Sequence, residues 1–201
     1  MKPVAHPNAE WSSFCQGDRT AFKAIYETYF NSLFLYGLRF SNDHDIIKDT
    51  IQNLFFKLWE NRDSLTHVHQ PRSYLHRALR NLLLNIQRNT LPYRQEALDD
   101  EHYSFQLELP VESQIIQQER RLQTHYRLKK AFKVLTSKQR EMLYLKYVKQ
   151  LSFEEIAHIM AITIKGSYKL HQRSLHALRL QLGDMADYLP YLIACYLHFE
   201  K

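Results

Sequence analysis

Two stretches of this chain carry basic side chains with no carboxylate among them. Ser64 to Gln95 holds Arg72, Arg77, Arg80, Arg88 and Arg94, and Ile156 to Gly183 holds Lys165, Lys169, Arg173 and Arg179. Guanidinium and ammonium groups at that density suit phosphate binding, because each can neutralise a backbone phosphate and release its counterion. One such run is as readily an ordinary solvated helix face. Two in one chain favour a polyanionic partner. The formal net charge is +6, and it is patterned: residues 1–90 carry 11 Lys/Arg against 8 Asp/Glu, residues 91–125 carry 3 against 7, and residues 126–201 carry 13 against 6.

Catalytic chemistry finds no footing. There is no P-loop, no nucleophile motif and no metal-ligand spacing, so no catalytic residue and no cofactor is expected. His67-x-His69 offers two imidazoles, which can bind metal only with further ligands at a defined spacing. Asp99-Asp100-Glu101 reads as a solvated cluster. Cys15 and Cys195 are the only cysteines, far apart and outside any CxxC, so neither a disulfide framework nor a zinc site is implied. The opening MKPVAHPNAEWSS has no signal-peptide core, and no run approaches the roughly 18 apolar residues of a membrane span. The expectation is a soluble protein of the cytoplasm.

The elements that must carry these residues are helical. Four glycines and six prolines leave few breaks for a turn-rich β fold, and 45% hydrophobic residues suffice for cores. Apolar residues recur at helical spacing from Arg19 to Phe40 (Phe22, Ile25, Tyr26, Tyr29, Phe30, Leu33, Phe34), and Ser41-Asn42-Asp43 breaks the run. A second helix from about Asp45 to Glu60 turns Ile47, Ile51, Leu54, Phe55, Leu58 and Trp59 inward and Lys48, Asp49, Gln52, Asn53 and Lys57 outward. Ser64 to Gln70 reads as a loop. Pro71 opens a third helix, to about Arg88, with Leu75, Ala78, Leu79, Leu82, Leu83 and Ile86 as its stripe and Arg72, Arg77, Arg80, Asn81 and Arg88 largely off it.

Thr90 to Glu112 holds two prolines and no sustained period, and marks a linker. Helical pattern resumes from about Ser113 to Val134. Thr136-x-x-Gln139 and Ser152-x-x-Glu155 are capping boxes, the first opening a helix through Tyr147 and the second a short helix ending near Met160. Ala161-Ile162-Thr163 is a turn. The last helix, Ile164 to Leu182, places Tyr168, His171, Leu175, Leu178 and Leu182 on one stripe and Lys165, Lys169, Gln172, His176 and Arg179 on another. Short helix, three-residue turn and basic helix are the ingredients of a helix-turn-helix. The expected fold is all-α: two small helical domains joined by a flexible linker, at 1–90 and 126–183, with residues 91–125 between them as the linker and the start of a linking helix. Residues 184–201 form an apolar tail, interrupted by Pro190, that either packs back or offers a docking surface.

Residues 135–182, LTSKQREMLYLKYVKQLSFEEIAHIMAITIKGSYKLHQRSLHALRLQL, resemble region 4 of bacterial RNA polymerase sigma factors, with its hydrophobic-QRE helix and LSxEEIA. DIIKDTIQNLFFKLWENRDSL, residues 45–65, resembles region 2.2, with Asp49, Gln52, Phe55, Lys57, Leu58 and Trp59 on the motif. PRSYLHRALRNLLLNIQR, residues 71–88, is similar to regions 2.3 to 2.4. Region 2 before region 4, with no room for regions 1 or 3, resembles the extracytoplasmic-function group. Two departures stand out: Asn53 and Lys48 replace usual acids, and Lys165-Gly166-Ser167 with Tyr168 replaces a commoner glycine-threonine-valine run and lysine. Gly166 reflects either close packing or near approach to a phosphate.

The resemblance implies a non-enzymatic factor that binds core RNA polymerase, directs it to promoters and assists opening. Asp49, Gln52, Asn53 and Lys57 would dock on the clamp helices of the largest polymerase subunit, and region 4 would meet the flap of the second-largest. His67, His69, Gln70, Arg72, Tyr74, Arg77, Arg80, Asn81 and Arg88 would meet the minus-ten element, with the Ser64–Ser73 loop capturing a flipped base. Ser152, Lys165, Ser167, Lys169, Gln172, Arg173 and His176 would meet the minus-thirty-five element, although Ser152 is equally a helix cap. An anti-sigma factor is a further candidate partner. A helix-turn-helix regulator that never meets polymerase is the main rival, and it has no need of the Asp49–Trp59 stripe. A pure adaptor would need neither basic face.

Overall fold

The computed structural model describes residues 7–90, with side chains from Ala9 to Asn89, together with residues 103–107 and 130–183. The chain divides into two compact units, residues 1–96 and 97–201. The described residues are helical and contain no strand, so the fold is all-α.

The first unit is built from α1 (Pro7–Cys15), α2 (Arg19–Gly37), α3 (His44–Glu60) and α4 (Pro71–Thr90), with a 3₁₀ turn at Arg62–Leu65. Asp18 and Asp43 start α2 and α3: each side chain accepts from two backbone N–H groups of the first turn, satisfying donors that have no helical partner. The expectation of three helices is corrected by α1, whose nine residues are too short to show a period. It matters to the core. Trp11 and Phe14 are buried, and Phe14 packs on Phe22 and Trp59 at 5.7 and 6.4 Å. Trp11 Nε1 also donates to Leu65 O at 3.1 Å, tying α1 to the turn before the loop. α2 and α3 cross closely at Gly37, where a Cβ would lie 2.6 Å from Ile47 Cγ2, so only glycine fits without displacement.

The second unit holds α5 (Ser137–Leu143), a π-helical segment (Tyr144–Val148), α6 (Phe153–Met160) and α7 (Ile164–Leu182). Residues 130–134 are helical as well. Thr136 and Ser152 form the two reciprocal capping boxes expected. The helix expected through Tyr147 is α only to Leu143. From there it widens into the π segment, and Gln150 follows with a φ of 53°. The core joins Phe132, Leu135, Leu143, Leu175, Leu178 and Leu182.

Part of the expected linker belongs to this core. Phe105 is fully buried, with its ring 5.7 Å from Tyr144, and Leu107 packs on the α5–α7 cluster. Arg140 clamps the segment: its Nε donates to Phe105 O at 2.8 Å while Nη1 donates to Leu135 O at 2.6 Å. Tyr103 Oη donates to the buried Glu141 carboxylate. A polar linker stretch with one phenylalanine shows no periodicity, so only the pocket reveals the packing. Arg94, the Asp99–Glu101 cluster, most of the expected Ser113–Val134 helix, and the tail with Cys195 lie outside the described residues.

Candidate nucleic-acid interface

The outward face of α3 is laid out by its apolar period. Ile47, Ile51, Leu54, Phe55 and Leu58 are buried, which leaves Asp49, Gln52, Asn53 and Lys57 exposed on the opposite side. Phe56 stands in the middle of that polar stripe with 62% of its surface exposed. Sequence reading did not single it out, because a phenylalanine beside Phe55 passes for core. Counting 100° per residue from Leu54 and Leu58 would have placed it on the far side.

The loop after α3 is pinned at both ends. Leu65 is buried and receives the Trp11 bond, and Ser73 Oγ lies 3.2 Å from Gln70 O and 3.3 Å from Gln70 Oε1 at the start of α4. Between the pins His67, His69 and Gln70 are exposed. Gln70, Tyr74, Arg77, Asn81 and Arg88 then follow at spacings of three, four and seven residues, which puts them on one side of α4. Tyr74 is half-buried, edge-on to Trp11 at 6.1 Å, and burial pushes its phenol above the ordinary value. Arg72 is half-buried, and its carbonyl lies 2.8 Å from His76 Nδ1.

Two expected DNA contacts are turned inward. Arg80 is 2% exposed and belongs to the core of the first unit, three residues from Arg77 but on the Leu79–Leu83 side. Ser167 is fully buried: its Oγ lies 3.2 Å from Phe153 O and 2.7 Å from Ile164 O, fastening α7 to the start of α6. Both leave the DNA-facing set for a packing role. Among the described residues no group of three His, Cys, Asp or Glu is placed to hold a metal, so His67 and His69 gain no third ligand there.

In the second unit Ala161 closes α6 in the left-handed region, at φ 53° and ψ 43°, and Ile162 N donates back to Ala157 O at 3.0 Å. The turn is thereby fixed, and Thr163 caps α7 by accepting from Gly166 N at 3.0 Å. A Cβ on Gly166 would lie 3.0 Å from that same Thr163 oxygen, a tight contact that a side chain there would meet only if the cap gave by a few tenths of an ångström. From this start α7 exposes Lys165, Lys169, Gln172, Arg173, His176 and Arg179. Ser152 is exposed and its Oγ accepts from Glu155 N, so it is a cap at the least.

The Tyr168–Leu182 stripe of α7 is not uniformly buried. Leu175, Leu178 and Leu182 are buried, but Tyr168 is 47% exposed and packs against Phe153, ring centroids 4.0 Å apart and planes tilted by 32°. His171 is half-buried between Tyr147, whose Oη lies 3.1 Å from Nε2, and the Phe153 ring at 5.3 Å. Lys146 Nζ sits 4.4 Å over that ring and donates to Leu151 O.

Comparison with known proteins places both units. The chain matches the family model for sigma-70 region 2 over residues 25–90 and that for sigma-70 region 4 over residues 125–178, together more than half of its length. Among solved structures it is similar to CnrH, seen in complex with the cytosolic domain of CnrY, at 17% identity and a TM-score of 0.56, covering 87% of this chain and 96% of that one. It is also similar to the sigma factor RpoE of Bartonella quintana, seen in complex with the anti-sigma factor NepR, at 22% identity and a TM-score of 0.56, covering 81% and 97%. At those identities the likeness shows a shared fold. No curated protein matches the chain.

Proposed function

The chain belongs to the sigma-70 family, as a non-catalytic transcription initiation factor of the extracytoplasmic-function group, and from that premise we propose that it binds core RNA polymerase, brings it to specific promoters and helps open them. The observation that carries this reading is the pairing of two surfaces in the expected order. An exposed polar stripe on α3 precedes a helix-turn-helix whose second helix carries no acid and exposes Lys165, Lys169, Gln172, Arg173, His176 and Arg179.

In this reading the first unit, from residue 1 to about 90, does two tasks. The α3 stripe of Asp49, Gln52, Asn53 and Lys57 docks on the clamp helices of the largest polymerase subunit. The loop with His67, His69 and Gln70, followed by the α4 face of Tyr74, Arg77, Asn81 and Arg88, engages the minus-ten element, with Arg72 beside it. Flipping a base costs a few kcal/mol, which contacts to its edge and ring can offset. The 126–183 domain meets the minus-thirty-five element through Lys165, Lys169, Gln172, Arg173 and His176, with Ser152 at the start of α6, and also meets the polymerase flap. The bond-making chemistry belongs to polymerase. The protein works in the cytoplasm, where that enzyme is. Both structural neighbours were captured with a binding partner, one of them named as an anti-sigma factor, and a comparable inhibitor is proposed here.

Among the described residues no helix is long and apolar enough to cross a membrane. The decisive experiment is a pull-down with purified core polymerase. Asp49→Lys combined with Gln52→Ala should abolish binding while circular dichroism stays unchanged, since both side chains are exposed. Retention of binding by that variant removes α3 from the interface.

A further inference from the structure

The first turns of α7 carry exposed apolar surface. Ile164 and Tyr168, four residues apart and so adjacent along one side of the helix, are both about half exposed. The Tyr168 ring is seated: Phe153 lies 4.0 Å from it at 32° between planes, and Phe153 is itself held under Lys146. An aromatic already fixed by stacking supplies contact area with little further loss of rotamer freedom. Its exposed neighbours Lys165, Lys169 and Gln172 are cationic or polar, and the sequence has no acid from Ile156 to Gly183.

A half-exposed apolar pair in a basic field, at the leading end of the second helix of a helix-turn-helix, suits a base edge in the major groove. There the N-terminal residues of such a helix meet the bases, and the A·T pair is the one that presents a C5 methyl. We propose that Tyr168, seated on Phe153 and flanked by Ile164, reads the C5 methyl of a thymine in the upstream promoter element. This rests on the reading that α7 enters promoter DNA, and adds to it a base preference set by apolar contact. The ring does the reading. A phosphate contact would need only the hydroxyl and would be blind to the base.

Holoenzyme assembled from the full chain and core polymerase is used to select upstream elements from a randomised duplex library, and each selected thymine is replaced singly by uracil. That change removes one methyl and nothing else. At one position affinity should fall about fourfold, the worth of burying one methyl. The loss should persist in Tyr168→Phe and vanish in Tyr168→Ala and in Tyr168→Gln, the latter a good helix former that covers the case of an unstable alanine variant. Uracil insensitivity at every selected thymine overturns the proposal, as does a penalty undiminished in the alanine and glutamine variants or lost in Tyr168→Phe. Failure of the holoenzyme to select any upstream element overturns the functional reading together with this inference. A selected element without a methyl effect overturns this inference alone.

Discussion

His171 sits where a proton is costly. Burial between Tyr147 and Phe153 pushes its imidazole below the ordinary 6.5, and the nearby charge of Lys146 acts in the same direction. Because the folded value is depressed, the unfolded chain takes up the proton first. The associated stability is therefore full above about pH 6.5 and is lost as pH falls through the folded value. The helix-turn-helix should melt at steadily lower temperature as pH falls below about 6.5. His171→Gln, which keeps a polar partner for Tyr147 without titrating, should flatten that slope in thermal melts followed by circular dichroism. An unchanged slope would mean that other groups govern the acid limb.

The Tyr103–Leu107 strap makes an element out of a stretch that reads as linker. It crosses the QRE helix α5 with Phe105 fully buried, and Arg140 bonds at once to the strap and to the end of the preceding segment. A buried phenylalanine cut to alanine loses both its transfer energy and the cavity it filled, about 3 to 5 kcal/mol. Phe105→Ala should lower the melting of the second unit by 10 °C or more, on the order expected for a domain of this size. Gln106→Ala, at an exposed neighbour, should change little. Calorimetry of the full chain checks both. Equal melting of wild type and Phe105→Ala would show that the strap adds nothing to the unit. Widening at Tyr144–Val148 accompanies the placement of Tyr147 against His171 and of Lys146 over Phe153, contacts that join α5 to the helix-turn-helix.

At the scale of the whole molecule, the patterned charge should set salt dependence. Binding that neutralises phosphates weakens with salt in proportion to the number of contacts. Polymerase makes contacts of its own, so the informative quantity is a difference. Lys165→Gln with Lys169→Gln should lower the slope of log affinity against log salt by about 2 while leaving base preference unchanged. Filter binding of holoenzyme to promoter duplexes across a salt series measures it. A slope equal to that of the wild type removes these lysines from the phosphate set.

What the sequence determined by itself is whatever local physics encodes. Periodicity placed α2, α3, α4 and α7, because burial repeats every 3.6 residues. Thr136 and Ser152 announced their helices, because a cap acts within one turn. The QRE and LSFEEIA residues and the Asp49–Trp59 stripe pointed to the family. The tertiary structure decided what depends on the direction of the core. Arg77 and Arg80 are both basic and close in sequence, and only packing shows that one keeps contact with solvent and the other is enclosed. Ser167 and Tyr168 are adjacent, and the approach of Phe153 buries the first and seats the second half-exposed. Trp11, Phe14 and Phe105 entered cores through contacts with residues far along the chain, which no short window of sequence records. Periodicity supplies the angles between side chains on a helix, and the neighbouring elements choose which of those angles faces inward.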